Sequence, residues 1–263
     1  MFGFSPGLRI TEEDRQWVDE GFRRLEKLLG RRRMLEAKVV EPTAEDFPDP
    51  YHKTPEAVEK LFSRVCAYMQ VERSSVELQI FQDETDELRE ILPSWRGDRK
   101  TRAVGLYTHA DELDQADDAA ERNMIVAVRS TMLKDPMSLI ATIAHELGHV
   151  ILLGGKLMGH KTPGQEPMTD LLTVFLGLGI FTANSAGRFR QFQNDRRIGW
   201  SMNRLGYLHQ RVFGYALAKF ASERGDKAEW ARHLSPNVRS DFKQSRRWLA
   251  DNPQYGTLAK SIG

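Results

Sequence analysis

Ser138-Leu139-Ile140-Ala141-Thr142-Ile143-Ala144-His145-Glu146-Leu147-Gly148-His149-Val150 is the stretch on which the reading of this chain turns. Leu139, Ile140, Ile143, Leu147, Val150 and Ile151 recur at three- and four-residue spacing, the period of a helix with a wide buried face. Asp135 and Pro136 precede it as an N-cap carboxylate and a first-turn proline, and the Gly154-Gly155 pair closes it. On such a helix His145 and His149 project from one face, one turn apart. A single divalent ion can accept both imidazoles, and Glu146 then lies within reach of a water on that ion. A buried helix seldom carries two histidines and a glutamate unless they are paired or metal-bound.

The spacing is the H-E-x-x-H pattern of zinc hydrolases. With it, residues 145–170 resemble the zincin peptidases, and among these the gluzincins. The third ligand has to come from further along. Gly155 stands six residues after His149, where a metzincin would place it, so that variant is excluded. His160 follows eleven residues after His149, in Met158-Gly159-His160-Lys161, and reaches the ion only if that loop folds back. Gln165-Glu166-Pro167-Met168-Thr169-Asp170 supplies the preferred candidate: Glu166 and Asp170 lie four apart at the start of a second helix, with Pro167 in its first turn. The resemblance implies that Glu166 binds zinc and that Asp170 orients a ligand histidine through its free ring nitrogen, fixing the tautomer. Two other readings stay open: Asp170 as the ligand in place of Glu166, or two acids that only complement the dipole at a helix N-terminus.

The chain has 263 residues, 40% of them hydrophobic, with five tryptophans and thirteen phenylalanines, enough for a substantial core in one large or two small domains. Its single cysteine, Cys66, excludes an internal disulfide and fits a reducing compartment; the sequence around it marks no nucleophile, so it reads as a small buried hydrophobe. The first residues lack the charged and apolar segments of a signal peptide. The longest apolar run, 171–183, is too short to cross a bilayer and reads as a buried helix. A cytoplasmic protein that does not enter the membrane is expected. The net charge of +1 is unevenly spread: 187–263 holds 15 Lys+Arg against 6 Asp+Glu, leaving 23 against 31 for the rest. No nucleic-acid motif accompanies the basic end, so it reads as a solvated face and nucleic acid is not the expected partner.

Along the chain, Thr11 to Asp14 forms a capping box for a helix carrying Trp17, Val18, Phe22, Leu25 and Leu28, closed by Gly30 and the Arg31-Arg32-Arg33 triplet. Residues 34–40 read as a short strand and 42–55, with four prolines, as an irregular loop. Thr54-Pro55-Glu56 opens a second helix with Val58, Leu61, Phe62, Val65 and Met69 inside. Strands are expected over 75–82, 102–107 and 123–129, with a charged excursion over 83–100 and an acidic loop over 111–121. Met124 to Arg129 is the candidate edge strand for an extended peptide, with an interior strand as the equal alternative. Residues 171–178 are expected to form a central apolar helix in which Gly177 and Gly179 admit a close neighbour, with the H-E-x-x-H helix as the candidate. Residues 184–197, polar and arginine-rich, read as a loop. Helices follow to about Gly225 and over 236–249.

The resulting expectation is an α+β, zincin-like chain: a small N-terminal α/β subdomain with a mixed sheet (1–134), then a helical C-terminal subdomain (135–263), with the H-E-x-x-H helix at the junction. The resemblance implies a zinc-dependent metallopeptidase acting on a peptide or protein substrate. His145, His149 and Glu166 would be the metal ligands, with Asp170 behind them and Glu146 as general base. Tyr207, His209 and Tyr215 are candidates for stabilising the oxyanion, Tyr207 foremost because it stands at a helix start. The alternative is a metallopeptidase-like zinc domain serving as a regulatory or protein-binding module without proteolysis. A purely structural zinc site is disfavoured because one cysteine cannot close the sphere.

Overall fold

The computed structural model describes residues 7–82, 105–108, 124–154, 164–193 and 208–256. They form a mixed α/β, mostly helical protein whose strands make one small sheet. The chain divides into two compact units, 1–41 with 163–190 and 197–263, and 42–162 with 191–196. Within the first unit the helix 12–29 packs against the helices 165–175 and 210–223.

The first unit is helical. Helix α1 (Glu12–Leu29) starts at the anticipated capping box, in which Asp14 N–H donates to Thr11 Oγ1 and Thr11 N–H donates back to Asp14. It buries Val18, Phe22 and Leu25. Gly30, at φ +85°, stops it, and a second helix, α2 (Arg31–Glu36), begins immediately. The arginine triplet therefore starts a helix, not ends one, and the strand expected over 34–40 is absent: 31–36 are helical, while Val40 N–H donates to Gly177 O at 2.9 Å outside any sheet. The apolar run 171–183 is likewise split. Helix α5 (Gln165–Phe175) ends, Gly177 takes φ +86°, and α6 (Gly179–Gln193) begins. A Cβ at Gly177 would lie 2.0 Å from Lys38 O, and one at Gly179 would meet Leu217 and Val174. The close neighbours of these glycines include the 38–40 segment and α7 (Gln210–Glu223). Gly177→Ala is expected to destabilise by about 3 kcal/mol or more, combining an unfavourable φ with backbone overlap; urea unfolding would measure it. Helix α6 also replaces most of the loop expected over 184–197, since arginine and glutamine are good helix formers whatever their polarity; residues 194–197 lie outside the described set. Helix α8 (Pro236–Asp251) and the short α9 (Pro253–Gly256) complete the unit, with α8 packed along α7.

Charges are buried inside this unit. Arg15 and Asp19 on α1 pair with each other; Tyr215 on α7 donates its hydroxyl to Asp19 Oδ1 at 2.9 Å; and Lys219, 2% exposed, lies 3.4 Å from Asp19 and 3.2 Å from Glu223. Lys219 Nζ also donates to Tyr255 O at 2.8 Å, and Ser222 Oγ to Gly256 O at 3.1 Å, so the same side chains hold α9 in place. The Arg15 guanidinium sits 4.2 Å from the Tyr255 ring centre, and that ring stacks on Trp248.

In the second unit, α3 (Pro55–Met69) begins at Thr54 as expected and buries Val58, Leu61, Phe62, Val65, Cys66 and Met69. Burial pushes the Cys66 thiol up to about 12. At pH 8 its thiolate fraction is then about 10³-fold below that of a free cysteine. Native protein should react with a disulfide reagent at least that much more slowly than urea-unfolded protein.

The strands β1 (Val76–Phe81), β2 (Gly105–Thr108) and β3 (Met124–Arg129) form a mixed sheet of order β1-β3-β2, parallel for β1 with β3 and antiparallel for β2 with β3. Among the described strands β3 is therefore central, not the edge, as burial of all four residues from Ile125 to Val128 requires. After a short 3-10 turn, helix α4 (Pro136–His149) lies against α3, β2 and β3. By length and apolar composition Pro136–Leu153 also qualifies as a membrane-crossing helix, but 78% of it is buried inside the protein, a test that the core helix of a globular domain passes too.

Candidate metal centre

Helix α4 is built to hold polar groups in a dry place. Asp135 accepts from Ser138 N–H at 3.2 Å and from Ser138 Oγ at 2.8 Å, Pro136 occupies the first turn, and every residue from Leu139 to His149 is buried. His145, Glu146 and His149 are 3%, 5% and 7% exposed. The α-helical ladder changes at His149: Val150–Gly154 form a π-helical turn, a local widening found frequently at functional sites. The two imidazoles stand edge to face, with Nε2 of His145 and Nε2 of His149 3.1 Å apart. A cation lets both rings turn their lone pairs inward; otherwise one must donate its N–H to the other.

Glu166 is the second residue of α5 and is half-buried; Gly164, at φ +81°, precedes the helix. One ligand atom each from His145, His149 and Glu166 lies within 4.8 Å of the others, the one such acid and histidine group found among the described residues. The group could hold a metal ion. Two bonds of 2.0–2.1 Å at a tetrahedral angle separate their donor atoms by about 3.3 Å, close to the 3.1 Å spacing of the two ring nitrogens. Two imidazoles and a carboxylate suit zinc and its first-row neighbours.

Asp170, one turn after Glu166, is 3% exposed, and its Oδ2 accepts the N–H of Leu208 at 2.8 Å. That bond was not foreseen from the sequence, where the partners stand far apart. Tyr215, one of the three oxyanion candidates, is removed from that role: it is fully buried, bonded to Asp19, and burial raises its phenol well above the ordinary range. His209 is half-buried at the N-cap of α7. Tyr207 and His160 lie outside the described residues, as do His109 and the segments 83–100 and 111–121. His233 is half-buried against Glu41, with Nε2 to Oε2 at 2.9 Å. The buried network of Arg15, Asp19, Tyr215, Lys219 and Glu223 was also missed; the only hint was the pairing of opposite charges four residues apart, Arg15 with Asp19 and Lys219 with Glu223, inside apolar stripes.

Comparison with models of known protein families, with curated proteins and with solved structures finds no match.

Proposed function

We propose that this chain is a zinc-dependent peptidase of the zincin type, gluzincin-like in its ligand order, with His145, His149 and Glu166 as the metal ligands. The observation that carries this reading is the convergence of two Nε2 atoms 3.1 Å apart and one carboxylate within 4.8 Å, on a buried helix that also holds a glutamate. A bound zinc ion supplies Lewis acidity, lowering the pKa of a coordinated water to about 7 and polarising a carbonyl. Glu146, next in sequence to His145, takes the proton of the attacking water and passes it to the departing amine. Its burial keeps competing solvent away from the carboxylate and strengthens every charge interaction there. Asp170 follows Glu166 by one turn, and the oxygen not engaged by Leu208 has the capacity to accept a ligand imidazole N–H, as the family resemblance implies. Tyr207 is the proposed donor to the oxyanion.

The ligand set is tested by zinc titration against a competing chelator. Wild-type protein is expected to bind one equivalent. His149→Ala and Glu166→Gln should each weaken binding by more than about 100-fold, since loss of a ligand exceeds the 10–100-fold typical of losing a group behind it. Casein or a peptide library supplies the activity assay, and 1,10-phenanthroline should abolish cleavage until zinc is restored. Zinc binding that is unchanged in Glu166→Gln would remove Glu166 from the set. Zinc bound without cleavage of any substrate would favour the non-proteolytic module.

A further inference from the structure

One hydrogen bond ties the helix of Glu166 to the start of α7. Leu208 N–H donates to Asp170 Oδ2 at 2.8 Å across 38 residues of sequence. Asp170 is 3% exposed and Leu208 is fully buried, so the bond is shielded from water, and a carboxylate acceptor makes it one of the stronger kinds. Leu208 directly precedes His209, the N-cap of α7, which is extended at φ −70° and ψ 148° and makes no side-chain capping bond. The start of α7 is therefore fixed from behind, by Asp170, and not by a cap of its own. Glu166 stands one turn before Asp170 on the same side of α5.

We propose that Asp170 is a positioning residue for the reaction: by holding the Leu208 N–H it fixes the extended 208–209 segment to the helix that carries Glu166. The inference rests on the reading of Glu166 as a metal ligand. The held segment includes His209, whose ring can donate to a developing oxyanion. Freeing it costs alignment, and a misplacement of about 1 Å can cost about 100-fold in rate. This role differs in its signature from tuning a ligand histidine. Loss of a group behind the metal lowers metal affinity; loss of the tether loosens Leu208 and lowers kcat with the metal still bound.

The test uses the full zinc-loaded chain and three forms: wild type, Asp170→Ala and Asp170→Asn. Asparagine keeps an oxygen that can accept the Leu208 N–H; alanine keeps none. Amide hydrogen exchange at Leu208 is expected to quicken at least about 10-fold in Asp170→Ala, since the N–H loses a shielded partner, and to return most of the way in Asp170→Asn. At zinc concentrations that saturate every form, stoichiometry should be equal in all three, and kcat should fall about 10–100-fold in the alanine form, with most of it recovered by asparagine. Exchange at Leu208 that is unchanged in Asp170→Ala, or as fast in Asp170→Asn as in Asp170→Ala, would overturn the proposal. If Asp170→Ala does not fold, the asparagine form decides alone: wild-type protection supports the tether, and lost protection refutes it. The exchange readout needs no substrate, so it separates failure of the tether from failure of the peptidase reading.

Discussion

Glu146→Gln is expected to bind zinc as the wild type does and to lose about 10³-fold or more in peptide hydrolysis. The amide matches the carboxylate in shape, so α4 and its packing should be unchanged, but it cannot accept the proton of the attacking water at neutral pH. A positioned general base contributes about 10²–10⁴-fold, and 10³-fold corresponds to about 4 kcal/mol in the barrier. Glu146 is 5% exposed, on the helix that presents His145 and His149 with their ring nitrogens 3.1 Å apart. Cleavage kinetics measured beside zinc stoichiometry separate the outcomes: equal zinc with cleavage lost identifies the base, whereas equal zinc with equal cleavage would remove Glu146 from the mechanism.

The second large effect lies in the helical unit and concerns stability alone. Lys219→Met is expected to destabilise the fold by about 3–5 kcal/mol, because it removes the cation from a buried network and leaves the carboxylates of Asp19 and Glu223 behind. It also frees the carbonyl of Tyr255, loosening α9. For a chain of this size the melting temperature should fall by roughly 10 °C. The pH dependence has a definite sign. Burial holds the Asp19 carboxyl above its ordinary value, against the opposing pull of Lys219, the Tyr215 hydroxyl and Arg15. Removing Lys219 raises it further. A carboxyl raised in the folded state stabilises that state below its unfolded pKa and loses this contribution as pH rises through the folded value. The stability difference between the two proteins should therefore narrow as pH is lowered from 7 toward the carboxylate range. Urea unfolding at pH 7 and pH 5 measures both quantities; a gap that widens toward acid would show that Asp19 is not the group left exposed to the change.

How much of this was legible beforehand depended on whether a residue's role is local. The capping box at Thr11, the Thr54-Pro55 start of α3 and the Asp135-Pro136 start of α4 are written within four residues each, and all three are found as read. The pairing of His145 with His149 follows from helical geometry once the apolar period establishes the helix. What the period does not carry is where the chain reverses. Gly177 interrupts a run of apolar residues whose composition is uniform, and only the approach of Lys38 O shows why the helix must stop there. Strand position stays open in the sequence for the same reason: Met124 to Arg129 has the composition of either an edge or a centre, and the order β1-β3-β2, which makes it the interior alternative, is decided by partners remote in sequence. The arginines at 31–33 mislead because cations near a helix end suit the close of α1, whereas Gly30 ends that helix and the triplet opens α2. Asp170 was singled out, but its bond to Leu208 joins residues that no spacing rule connects.

The most direct measurement is X-ray absorption at the zinc edge on the reconstituted full-length protein. Two imidazole nitrogens at about 2.0–2.1 Å with oxygen scatterers at about 2.0–2.2 Å and no sulfur are expected, and in Glu166→Gln the protein-derived oxygen should be lost while both imidazoles stay. A sulfur in the shell, a single imidazole, or protein that retains no zinc after gel filtration would contradict a centre made by His145, His149 and Glu166.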